Sequence, residues 1–65
     1  MENKKYYLVF LTKIHTFTIT AVESDKLCEY IAYQTLKKGR ILINISDNFN
    51  NSIEYIKLYN KLIGG

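Results

Sequence analysis

The chain reads as a small α+β domain: a ββαβ sheet with one main helix packed on it, then a C-terminal helix. A fourth strand is the alternative for that last element. Three observations predict this. Residues 6–12 are apolar on both alternating faces, residues 16–22 alternate apolar residues with threonine, and residues 25–38 carry an apolar stripe at helical spacing.

The first strand, residues 6–12, is built from aromatic and branched residues with no breaker. Tyr6, Leu8 and Phe10 share one face; Tyr7, Val9 and Leu11 share the other. That pattern suits a central strand covered on both sides. In the second strand Phe17, Ile19 and Ala21 point one way and Thr16, Thr18 and Thr20 the other, so a polar outer face is expected. Lys13-Ile14-His15 connects the two as a hairpin loop, the alternative being one long bent strand over residues 6–22. The loop lacks Gly, Asn and Asp, the residues that best tolerate positive φ.

The main helix spans residues 25–38. Its stripe is Leu27, Cys28, Ile31, Ala32 and Thr35, with Ser24 or Asp25 as the cap. Lys37 and Lys38 complement the dipole at its end, and Gly39 is a suitable C′ residue. That accounts for Lys37-Lys38-Gly39-Arg40 without a phosphate. Tyr30 and Tyr33 fall away from the stripe, beside Lys26, Glu29 and Lys37, as an exposed aromatic pair.

A third strand follows at residues 40–46, with Ile41, Ile43 and Ile45 facing the helix, and residues 47–51 form a turn-rich loop. Residues 52–63 open with a capping-box pattern, Asn51-x-x-Glu54, and show a polar stripe of Glu54, Lys57 and Lys61. Branched and aromatic residues favour a strand there; the cap and the stripe favour the helix. The connection from the second strand through the helix to the third is expected to be right-handed if those strands are parallel. The expected core is Leu8, Phe10, Phe17, Ile19, Leu27, Ile31, Ile41, Ile43 and Ile45.

Length and composition bound the rest. Sixty-five residues make one small domain, which buries only about 60% of its unfolded surface. Cys28 is the only cysteine and His15 the only histidine, so an internal disulfide and a Cys/His zinc site are both excluded. Oligomerisation is the remaining aid to a marginal core, and a two-fold homodimer is expected. The wide apolar arc of residues 53–63 nominates Tyr55, Tyr59 and Ile63 for self-association. No secretory signal or membrane span is read, so a cytoplasmic location is the default. The wealth of Lys, Ile, Asn and Tyr, with one Arg and no Pro, reads as AT-rich codon bias of a bacterium or its phage.

No catalytic residues, metal or cofactor are expected. The only Cys–His pair divides between helix stripe and loop, and Glu23, Asp25 and Glu29 cluster as a helix N-terminus. A phosphate-cradling glycine motif is missing. The net charge of +3 permits an acidic partner without arguing for one.

Gly64-Gly65, the opening strand pair and the following helix resemble the ubiquitin-like sulfur carriers and modifiers of β-grasp plan. That resemblance implies a tail whose carboxylate is adenylated by an activating enzyme. The chain departs from it where a final strand should run into the tail.

The functional expectation is a non-enzymatic homodimeric protein that acts by occupying a protein partner, at the size of phage-type inhibitors and accessory factors. Its partner surface is Tyr30, Tyr33, Lys26 and Lys37. The alternatives are a nucleotide- or nucleic-acid-binding module using the same Tyr/Lys surface, and a Gly-Gly carrier. Replacing both tyrosines with Ser is expected to spare the fold and abolish partner binding.

Overall fold

A computed structural model describes residues 4–63. It contains β1 (Lys5–Leu11), β2 (Phe17–Glu23), α1 (Leu27–Ala32), β3 (Ile41–Ser46) and α2 (Phe49–Ile63). The α+β class holds: a three-stranded antiparallel sheet of order β2-β1-β3 carries the helices. β1 is central, as its two apolar faces require, and Leu8, Val9 and Phe10 are all 0% exposed. β2 and β3 both run antiparallel to β1, so they are parallel to each other with β1 between them.

The two helices cover opposite faces. Leu8, Phe10 and Val22 form a core against which Tyr6, Leu27, Tyr30, Ile31 and Leu42 pack, on the α1 side. On the other face α2 crosses the sheet. Phe49 meets Tyr7 edge-on with ring centroids 5.6 Å apart, and Tyr59 meets Phe17 at 5.2 Å. The C-terminal element is therefore a helix, and the fourth-strand alternative falls.

The hairpin is tight despite its composition. Thr12 N–H donates to Thr16 O at 2.8 Å, and His15 N–H donates to Thr12 O at 3.0 Å. His15 supplies the left-handed residue of a three-residue loop, with φ of 62°. The Thr12 and Thr16 hydroxyls, 2.6 Å apart, close its base. His15→Gly removes the Cβ penalty at that φ and is expected to raise stability by about 0.5–1 kcal/mol. Thermal unfolding followed by circular dichroism checks this; an unchanged or lower midpoint contradicts it.

Register overturns the expected strand faces. β1 pairs Leu8 with Thr20 and Phe10 with Thr18, so these threonines share the α1 face with the core. Phe17 and Ile19 lie instead on the α2 face. In β3 the register shifts between Val9 and Phe10: Val9 pairs with Asn44 and Phe10 with Leu42, leaving Ile43 as the extra residue of a bulge. Leu42 thus joins the α1-side core, while Ile41 sits opposite Leu11 on the other face and is 59% exposed. Ile41, Ile43 and Ile45 do not share a helix-facing row, because one inserted residue breaks the alternation.

The main helix is rotated and irregular. A 3₁₀ turn (Ser24–Lys26) leads into α1, and a π turn (Tyr33–Lys37) follows it, closed by Lys38 N–H to Tyr33 O at 3.3 Å. Neither Ser24 nor Asp25 caps it through a side chain; Ser24 N–H bonds Lys4 O at 2.7 Å instead. Its buried side is Leu27, Tyr30, Ile31 and Gln34, and Cys28 and Ala32 are exposed. Cys28 is thus not a core residue. The Tyr30 ring offers far more apolar area than Cys28 or Ala32, and it meets Phe10 edge-on at 6.0 Å. Buried Gln34 is satisfied by Arg40, whose Nη1 donates to Oε1 at 2.9 Å and whose N–H donates to the Gln34 carbonyl at 3.1 Å.

Gly39 ends the segment with φ of 68°, and Lys13 packs where a Cβ at residue 39 would stand. α2 starts at Phe49, earlier than residue 52, because Asn48 caps it: Asn50 N–H donates to Asn48 Oδ1 at 2.8 Å. Lys4 Nζ lies 3.1 Å from Asp47 Oδ2 and 5.5 Å from the Tyr6 ring centre. The hydrogen bond to Asp47 raises the Lys4 pKa. Its contribution is present below the unfolded lysine pKa and lost as pH rises through the folded one; both partners are exposed, so it is small.

Candidate functional site

An open groove of about 560 Å³ lies where β2 meets the main helix. Thr20, Ala21, Val22 and Glu23 line its sheet side, Lys26, Glu29, Tyr30 and Tyr33 its helix side, and Lys5 one end. Strand order creates it. β2 is an edge strand, so the groove opens sideways past the last row of backbone. The helix rotation supplies the aromatic wall.

Three of the four expected partner residues meet here: Lys26, Tyr30 and Tyr33. Lys37 is not among the lining residues. The π turn carries it elsewhere, and Lys38 Nζ stands 5.9 Å from the Tyr33 ring centre. The two tyrosines are not an exposed pair. Tyr33 is 50% exposed, whereas Tyr30 packs with the core and also lines the groove. Sequence reasoning placed Glu29 beside the tyrosines but missed Lys5 and Glu23, two residues that also line the groove. The Lys5–Glu23 pairing across β1 and β2 brings these two together, and that register is only weakly written in the hairpin.

The charges of the rim balance: Lys5 and Lys26 stand with Glu23 and Glu29. Arg40 is engaged with Gln34. No group of three or more His, Cys, Asp or Glu placed to hold a metal occurs among the described residues. Cys28 and His15 sit in different elements, the helix and the hairpin tip.

A second, smaller concavity of about 170 Å³ is lined by Tyr55, Leu58, Tyr59, Leu62 and Ile63. All three residues nominated for self-association are in it. Tyr59 is half-buried against Phe17, while Leu62 and Ile63 are 74% and 69% exposed. Gly64-Gly65 lies outside the described residues. No helix among them is long and apolar enough to cross a membrane.

No protein-family model matches this chain, and neither does any curated protein or solved structure.

Proposed function

We propose that the chain is a small non-enzymatic binding protein that acts by occupying a protein partner through the β2–α1 groove. One observation carries the reading: Tyr30, Tyr33 and Lys26 line a single groove between the main helix and β2. The tyrosines offer apolar area and the charged side chains a polar rim, the make-up of a protein interface. A phage-type inhibitor or accessory factor fits this size and mode of action, as a class-level analogy.

The nucleotide and nucleic-acid alternative draws less support. Two lysines facing two glutamates give no net positive field for phosphates, and Arg40 bonds Gln34 rather than facing the groove. The carrier alternative lacks its final strand, since α2 occupies that place.

The test compares proteins co-purifying from the native host with the wild-type chain and with Tyr33→Ser/Lys26→Glu. A partner held by the wild type is expected to be lost from the variant while its circular dichroism stays unchanged. Equal retention by both overturns the reading. A steep fall of affinity with salt for single-stranded DNA or RNA would replace it with the nucleic-acid alternative.

A further inference from the structure

We propose that a second copy of this chain pairs antiparallel along the open edge of β2, fusing the two sheets and supplying the missing wall of the groove with its own α1. The pairing direction follows from which backbone groups are free. Ser24 N–H bonds Lys4 O, and Thr12 N–H bonds Thr16 O; both pairs lie on the β1–β2 register and both use even positions of the second strand. In an antiparallel ladder the hydrogen-bonded positions alternate. Even residues of β2 therefore bond β1, and Phe17, Ile19, Ala21 and Glu23 turn their N–H and C=O outward. β2 has no neighbour on that side among the described residues.

This edge is unprotected. Exposed edges are usually blunted by lysine, proline or a bulge. β2 reads Phe-Thr-Ile-Thr-Ala-Val-Glu, with no lysine, proline or bulge and a single charge, Glu23, at its last position, whereas β3, the other edge, carries the bulge at Ile43. The edge is also self-complementary. Full overlap of the seven-residue strand with its copy about a two-fold axis sets Thr20 opposite Thr20, Ile19 opposite Ala21 and Phe17 opposite Glu23. The outward groups then exchange about eight hydrogen bonds. The apolar end of α2 lies at the same edge, because Tyr59 rests on Phe17.

On the opposite face the two grooves merge. Each now has β2 threonines as floor and an α1 on either side, so the cleft is complete only in the pair. This step rests on the groove being the binding site; the strand pairing itself does not.

Two variants test the pairing by sedimentation and crosslinking. Ala21→Pro removes an outward N–H and leaves the β1 ladder intact. Wild type is expected at twice the monomer mass, and Ala21→Pro at the monomer mass with unchanged circular dichroism. Thr20→Cys in a Cys28→Ser background places two thiols at a closely spaced, non-hydrogen-bonded pair, within disulfide reach. It is expected to form a disulfide-linked dimer under mild oxidation, faster than Glu54→Cys in the same background. A monomeric wild type, a dimeric Ala21→Pro, or Thr20→Cys no faster than Glu54→Cys overturns the pairing. If Ala21→Pro fails to fold, the crosslinking rates decide. Partner capture by a monomeric wild type would leave the binding reading standing without the pairing; a crosslinked dimer that captures nothing would do the reverse.

Discussion

Phe10→Ala is expected to cost about 3–5 kcal/mol, the range for a buried aromatic ring truncated to a methyl group. Phe10 is 0% exposed on the central strand, between Thr18 of β2 and Leu42 of β3, with Tyr30 edge-on above it. A domain of this size commonly has a total stability of roughly 3–10 kcal/mol, so the loss takes most of it. Thermal unfolding by circular dichroism is expected to show a midpoint at least about 15 °C lower, or no cooperative transition. A fall of only a few degrees would mean that the core lies elsewhere.

Tyr30→Ser and Tyr33→Ser are expected to part company. Tyr30 belongs to the cluster around Phe10, so its loss removes core packing and an edge-to-face contact, at about 2–3 kcal/mol. Tyr33 is half exposed, and its ring stands 5.9 Å from the Lys38 ammonium, so its replacement costs at most about 0.5–1 kcal/mol. Denaturant titration of both variants measures the difference. Equal small losses would restore the picture of two exposed tyrosines and move the helix stripe back to Cys28 and Ala32. The expectation that both replacements spare the fold is therefore corrected for Tyr30 and kept for Tyr33.

The sequence makes β1 legible because its two apolar rows demand cover on both sides, and the structure supplies α1 and α2 for them. α2 is legible for the same reason, although Asn48 rather than Asn51 caps it. The face of the main helix is not. A wheel weighs Cys28 and Ala32 as apolar and Tyr30 as amphipathic, but burial follows area, and a polar Gln34 is buried because Arg40 lies in reach to satisfy it. Arg40 follows Gly39 across a turn, a proximity no periodicity reports. The faces of β3 fail for one residue, Ile43, whose bulge reverses the rows on either side of it.

The site was half legible. Lys26, Tyr30 and Tyr33 fall close together on any helical reading of residues 25–38. Their meeting with Thr20–Glu23 depends on β2 being an edge, which follows from sheet order alone. Lys37 dropped out because the π turn shifts everything after Tyr33 by a fraction of a turn.

The most direct measurement is the comparison of host proteins retained by the wild type and by Tyr33→Ser/Lys26→Glu. The groove account predicts a protein held by the wild type and missing from the folded variant. The same set of proteins retained by both would contradict it.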